Sequence, residues 1–276
     1  MKSLPGQQPL VSVLMGAFNC QSTLAEAIDS ILAQSLRAWE LIICDDFSSD
    51  GTLGIANSYA DIYPNISVIR NPSNLGLGPT LNRCLATAKG EFIARMDGDD
   101  TCSADRLETE VSFLLGRPDL SVVSTAMELF DEAGVWGRTW PIRKPEMRDF
   151  LRGTPFAHPA CLMRRSALDM VGGYSQSDKY RRVEDFHLWV RMYQVGLRGE
   201  NLDAPLYSWR SDRASVSRRS FSARINEARV ICLAIRSFGF PAWKYFRAIR
   251  PVLLGLMPRF LYQKMHRIRR GGNGRG

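Results

Sequence analysis

Three short apolar runs, each ending in a polar or acidic cluster and separated by helical patterns, restrict this fold more than any other feature. Val11-Ser12-Val13-Leu14-Met15 leads into a loop at Gly16–Asn19, Glu40–Cys44 into Asp45-Asp46, and Glu91–Met96 into Asp97-Gly98-Asp99-Asp100. Between them lie a helix with Leu24, Ile28, Ile31 and Leu32 on one face, a helix over Thr52–Tyr63 and a strand at Ile66–Arg70. A third helix near Thr80–Lys89 is stopped by Gly90. Short apolar strands alternating with helices predict a mostly parallel sheet flanked by helices. Ligands of open α/β sheets bind beyond the carboxyl ends of the strands, and both acidic clusters fall there.

Further along, the spacing predicts a helix over Ser103–Gly116 and a strand over Leu120–Phe130. Residues 131–160 are irregular, rich in Gly, Pro, Trp and charge. Gly172-Gly173-Tyr174 makes a turn, and Val183-Glu184-Asp185 opens a helix carrying Phe186, Leu188, Trp189 and Met192. At 276 residues the chain is long for one domain and short for two. One α/β domain over 1–220 and a basic, amphipathic helical region over 221–276 accommodate it.

The net charge of +8 is uneven: residues 228–276 hold 11 Lys/Arg and no acid, against 25 basic and 28 acidic residues before them. That balance excludes nucleic acid as a partner of the main body and directs the C-terminal region towards an anionic surface. Pro251–Tyr262 is apolar apart from Arg259, shorter than the roughly 20 residues a bilayer span needs. Lys264, Arg267, Arg269 and Arg270 follow it, and Trp243, Tyr245 and Phe246 precede it. Residues 243–270 are therefore expected to rest on an anionic membrane, the alternative being a helix packed on the body with a solvated basic end. The six cysteines show no CxxC and no zinc spacing. Without a signal peptide, the expectation is a cytoplasmic protein, peripheral on the membrane's cytoplasmic face.

Three carboxylates within four residues repel one another, a cost tolerated where a cation compensates. Hard divalent ions such as Mg²⁺ take carboxylate oxygens together with substrate phosphates. The bland alternative for Asp97–Asp100 is a turn that caps the next helix, but its position directly after a strand favours the cation. An EF-hand is excluded because the downstream Gly and Glu are missing. In Asp45-Asp46-Phe47-Ser48-Ser49-Asp50-Gly51-Thr52, a carboxylate after a buried strand can accept a hydrogen bond from a nucleobase or ribose. Asp46 is given that part and Asp50 that of a helix cap. Glu184-Asp185 suits a general base, or simply negative charge at a helix N-terminus.

Taken in order, PLVSVLMGAFN (9–19), DDFSSDGT (45–52), NPSNLGL (71–77), GEFIARMDGDD (90–100), HPACLMRRSAL (158–168), GGY (172–174) and EDFHLWVR (184–191) resemble the family-2 glycosyltransferases of the GT-A fold that build bacterial surface polysaccharides. The resemblance spans about residues 9–217, and Gly16, where many relatives have Pro, is a local departure. It implies a nucleotide-sugar donor, Mg²⁺ or Mn²⁺, and a glycan or lipid-linked saccharide acceptor. Ala17, Phe18, Asn19, Asp45, Asp46, Asn74, Gly76, Asp97 and Gly98 would hold the nucleotide sugar, a UDP-sugar as first expectation. Asp99 and Asp97 would hold the metal. Asp185 would be the base of an inverting transfer, with Glu184 as its neighbour or an acceptor ligand. His158 is expected at the substrate or in loop positioning, a structural His being the bland alternative, and Trp189 in the core or the wall of the acceptor pocket; residues 131–160 are expected on the acceptor side. The QxxRW signature of processive synthases is absent, which implies single addition. The family's Tyr-Arg-x-His strand lacks its His after Tyr207-Ser208-Trp209-Arg210; Asp212 stands near that place, before Ser215-Val216-Ser217.

Other classes remain in view. A nucleotidyltransferase lacks its Gly- and Lys-containing phosphate loop here, and a Rossmann dehydrogenase its GxGxxG. A non-catalytic, membrane-associated module that binds glycan or nucleotide sugar is the alternative to an enzyme; the intact acids at 46, 97, 99 and 185 argue against it.

Overall fold

A computed structural model describes residues 8–211 and 220–257. The first half is β1 (Val11–Ala17), α1 (Leu24–Leu32), β2 (Trp39–Asp45), α2 (Thr52–Ile62), β3 (Ile66–Arg70), α3 (Leu77–Thr87) and β4 (Phe92–Asp97). Its strands lie side by side in the order β3-β2-β1-β4, all parallel. The chain therefore turns from one side of β1 to the other between β3 and β4, and a cleft opens at that reversal beyond the strand ends.

The second half comprises β5 (Thr101–Cys102), α4 (Arg106–Leu115), β6 (Val122–Asp131), β7 (Gly134–Arg138), β8 (Cys161–Arg164), α5 (Arg165–Val171), α6 (Glu184–Gln194) and β9 (Gly199–Arg210). Here the sheet is mixed. β8 runs antiparallel between β4 and β6, β9 runs parallel to β6, and β5 and β7 add antiparallel edges. β8 is only four residues long, entered from a 3-10 turn at His158–Ala160 rather than from a crossover helix, so nothing obliges it to run parallel.

β1, β2 and β4 read as continuous apolar runs because both faces of the sheet are covered. Alternation sends Val13, Met15, Ile43 and Met96 to a cluster with α1 and α4, and Leu14, Ile42 and Ile93 to one with α3 and α6. α3 ends at Thr87, its cap the extended Ala88, so Gly90 is not its stop; its duty is close approach, since a Cβ there would lie 2.5 Å from the Ser12 nitrogen. The close approach lets the Ser12 hydroxyl accept the Gly90 N–H at 2.8 Å.

α7 (Phe221–Ser237) follows the serine cap Ser220, and α8 (Ile249–Leu256) ends the described chain. Val230, Ile231, Ala234 and Ile235 of α7 are buried in the same cluster as Phe150, Phe186, Trp189 and Tyr193. The C-terminal region thus begins inside the core. No helix among the described residues is long and apolar enough to cross a membrane. The basic stretch at 264–270, like Asp212 and Ser215–Ser217, lies outside them.

Arg106 fastens α4 to the sheet. It is fully buried, its guanidinium pairs with buried Glu110 at 3.3 Å, and one nitrogen reaches the carbonyls of Arg95, Pro159 and Cys161 at 3.0, 3.3 and 3.4 Å. Burial pushes the Glu110 carboxyl up to about 7. Arg106→Ala should cost about 3–5 kcal/mol in urea denaturation at alkaline pH, where Glu110 is left as an uncompensated buried charge. The double variant Arg106→Met/Glu110→Leu should recover part of that loss.

Candidate active site

The fold places the three acids that follow β4 in different environments, although their ligand oxygens lie within 4.8 Å of one another. Asp97 is half buried and ion-paired at 2.5 Å with Arg95, which is 1% exposed and two residues earlier on the same strand face. Asp100 is also 1% exposed, and both its oxygens are engaged: Tyr207 donates its hydroxyl at 2.8 Å and Arg210 its backbone N–H at 2.8 Å. Burial, and then the charges of Asp97 and Asp99, hold the Asp100 carboxyl well above the usual range. The same Tyr207 hydroxyl accepts the Asp97 N–H at 3.2 Å. Asp99 is exposed, and its backbone carbonyl accepts from Arg210 Nε at 2.9 Å while the Arg210 guanidinium also pairs with Glu26. The set fits a hard divalent cation, with Asp99 and Asp97 as the carboxylates turned to the cleft and Asp100 committed to β9.

Asp46 holds the loop after β3. One carboxylate oxygen accepts the side-chain amide of Asn71 at 2.7 Å and the Leu75 N–H at 2.8 Å; the other accepts the Gly76 N–H at 2.9 Å. Gly76 has φ +84°, where a side chain is strained, and a Cβ would press on Arg181 at 3.3 Å. Facing this loop, Asn19 accepts the Ser49 N–H at 2.9 Å and Phe18 is half exposed.

A further part of the wall starts at α6. Glu184 is 7% exposed, and burial followed by the Asp185 charge raises its carboxyl pKa. α3 and α6 meet at their N-termini: a Cβ on Gly78 would lie 3.5 Å from that of Glu184. Their aligned N–H groups favour negative charge at this spot. Asp185 is half buried; burial chiefly, and to a lesser degree the Asp185 charge, raises the Cys161 thiol and the Tyr174 phenol.

These elements enclose an open cleft of about 1600 Å³ lined by Ala17, Phe18, Asn19, Asp46, Asn74, Gly76, Asp97, Gly98, Asp99 and Glu184 among the expected residues. Four expected residues are not in its lining. Asp45 points the other way from Asp46; its buried carboxylate takes the Ser48 N–H at 3.3 Å and pairs with Arg70 at 3.3 Å, so it shapes the loop instead. His158 is buried and shares a 2.8 Å hydrogen bond with the Tyr174 hydroxyl; burial, then the Arg95 charge, pushes its pKa well below the ordinary value, so the ring is neutral. Trp189 is fully buried, edge-on to Phe156 at 5.3 Å. Asp185 also does not line the cleft in this structure.

Residues the sequence did not single out do line it: Arg181, Arg182, Asn226 and Arg229, beside Arg210 of the expected Tyr207–Arg210 strand. Asn226 of α7 donates to the carbonyls of Asp178 and Arg181 at 3.3 and 3.0 Å, fixing the α6 approach, and Arg229 donates to Asn226 at 2.6 Å. Arg182 sits at φ +69°, a conformation sequence patterns do not reveal.

The family model for glycosyl transferase family 2 matches residues 12–172, more than half of the chain. The chain belongs to this family. Among its family-2 relatives, EpsE of Bacillus subtilis, a chain assigned as a glycosyltransferase, is 43% identical over 95% of this chain and 94% of its own. The amylovoran biosynthesis glycosyltransferase AmsE of Erwinia amylovora is 28% identical over 92% of this chain and 98% of its own. Among solved structures, TarS of S. aureus in complex with UDP-GlcNAc superposes with a TM-score of 0.66 at 20% identity, over 94% of this chain and 74% of that one. The fold is thus that of the GT-A glycosyltransferases, with the helical C-terminal segment present.

The Asp46 hub makes a measurable demand. Asp46→Ala leaves two backbone N–H groups without their acceptor, each worth about 1–3 kcal/mol if it stays buried. Amide hydrogen exchange at Leu75 and Gly76 should accelerate. Unchanged protection at those two amides would remove Asp46 from this role.

Proposed function

We propose that the chain is a metal-dependent, inverting glycosyltransferase of cell-surface polysaccharide biosynthesis. It moves one sugar, a hexose in the first instance, from a nucleoside-diphosphate sugar to a hydroxyl of a glycan or lipid-linked glycan. The observation that carries this reading is the pairing, across one cleft, of the acids after β4 with Glu184 at the start of α6. A UDP-sugar donor and a lipid-linked acceptor are supported by a relative 27% identical over 80% of this chain and 85% of its own, the Escherichia coli WfaP. It is named as a UDP-Glc:α-D-GlcNAc-diphosphoundecaprenol β-1,3-glucosyltransferase.

On this reading the chain binds the nucleotide between Ala17–Asn19 and the Asp46-held loop. Asp99 and Asp97 would hold Mg²⁺ or Mn²⁺, which when bound offsets charge developing on the leaving diphosphate. Inversion needs a base on the side of the sugar opposite the diphosphate; Glu184 lines the same cleft as the acids, and Asp185 follows it in the first turn of α6. Raised by burial, Glu184 keeps its proton to higher pH and suits hydrogen bonding to the acceptor, with Asp185 taking the hydroxyl proton.

Three variants test this. Asp99→Asn should abolish the Mn²⁺-dependent part of UDP binding in titration calorimetry, as EDTA does for the native chain, while the unfolding midpoint stays put. Asp185→Asn should lower kcat by about 10²–10⁴-fold with UDP affinity intact, and Glu184→Gln should act mainly on acceptor KM. Full turnover in Asp185→Asn together with its loss in Glu184→Gln would transfer the base to Glu184. No turnover of any nucleotide sugar would leave a binding module.

A further inference from the structure

Residues Ala242–Ala248 form a 3-10 helix that runs straight into α8. With three residues per turn, side chains three apart stack in rows. One row holds Tyr245, Ala248 and Pro251; Ala248 and Pro251 are buried where this segment packs on α7. Further along, Gly255 continues that packing, since a Cβ there would come within 2.9 Å of the Phe221 ring. A second row holds Trp243, Phe246 and Ile249, and helical spacing extends it through Leu253 and Leu256. These five are 62, 49, 53, 59 and 67% exposed. The third row is cationic: Lys244, Arg247 and Arg250. Lys244 lies 4.0 Å over the Trp243 ring and Arg247 4.9 Å over Phe246.

Single exposed apolar side chains are ordinary; five in one line over four turns are not. Charge narrows what covers them. Residues 228–276 carry no acid, so a second copy docked face to face, or the chain's own continuation, would bring more positive charge. An anionic lipid surface brings the opposite sign, takes Trp and Leu at headgroup depth, and lets Lys and Arg stems reach back to phosphates.

We propose that Trp243, Phe246, Ile249, Leu253 and Leu256, flanked by Lys244, Arg247 and Arg250, dock the protein on the headgroup layer of an anionic bilayer. The same contact sets the cleft's orientation. α7, on which the docking segment is packed, carries Ser220, Ser222, Asn226 and Arg229 into the cleft wall. The face therefore lies next to the end of the site that a lipid-linked acceptor would enter. Only this last point rests on the glycosyl-transfer reading; bilayer binding is measured without donor or acceptor, so the two can fail separately.

The test is co-sedimentation of the full chain with vesicles of phosphatidylglycerol and phosphatidylcholine, and of phosphatidylcholine alone. The native chain should partition onto the anionic vesicles and much less onto the neutral ones. Lys244→Gln/Arg247→Gln/Arg250→Gln should weaken partitioning on the order of a hundredfold, at about fivefold per cation. Trp243→Ser/Phe246→Ser/Leu253→Ser should abolish it. All six side chains are exposed except half-buried Lys244, and an unaltered unfolding midpoint and circular dichroism spectrum identify both variants as folded. Absence of binding by the native chain would overturn the proposal, as would binding that survives both triple variants, which would place the contact elsewhere. A dimer in light scattering that the apolar variant dissociates, without vesicle binding, would assign the face to a second copy and equally overturn it.

Discussion

Mutual repulsion among Asp97, Asp99 and Asp100 is the constraint around which the cleft is assembled. Each charge is dealt with by a different part of the chain. Buried Arg95 takes Asp97 from within β4, Tyr207 and the Arg210 backbone take Asp100 from β9, and Asp99 is left exposed. Tyr207 serves both ends of the cluster, accepting from the Asp97 backbone while donating to Asp100. This is why a strand more than a hundred residues downstream must return to the edge of the site. It is also why β9 is long enough, at 12 residues, to reach from the core to the cleft.

The N-terminal half of this arrangement is legible from residue pattern alone. A strand buried on both faces announces itself as an unbroken apolar run, and the acids after β2 and β4 mark where the backbone leaves the sheet. The boundaries shift by up to three residues; α3 begins at Leu77 rather than Thr80 because Gly76 at positive φ already starts its turn. The second half was less legible for a physical reason. β8 has four residues and β5 two, too few for any period to show, and β9 has irregular register against β6 near Ala126.

Within the site, sequence identifies residue types but not which way they face. Asp45 and Asp46 are neighbours with identical chemistry, and only the exit angle from β2 decides that Asp46 lines the cleft while Asp45 pairs with Arg70. His158 shows the same effect, its ring edge-on to Tyr174 and Trp189 in a packed interior, whereas Trp189 takes the core place, one of the two expected for it. Conversely, Arg181, Asn226 and Arg229 come to the cleft by the docking of α7 on α6, a contact between segments with no shared motif. The hydrophobic spacing of Val230, Ile231, Ala234 and Ile235 was the available clue that α7 is a core helix.

The loop from Asn71 to Leu77 carries a thermodynamic consequence. Its turn is closed by an aspartate of the same chain, through Asn71, Leu75 and Gly76, before any ligand arrives. That wall of the cleft is preorganised, so a molecule entering beside it spends little of its interaction free energy on ordering backbone. Selectivity at this wall then comes from a fixed shape rather than from an induced closure, and a badly fitting ligand meets a rigid edge instead of an adaptable one.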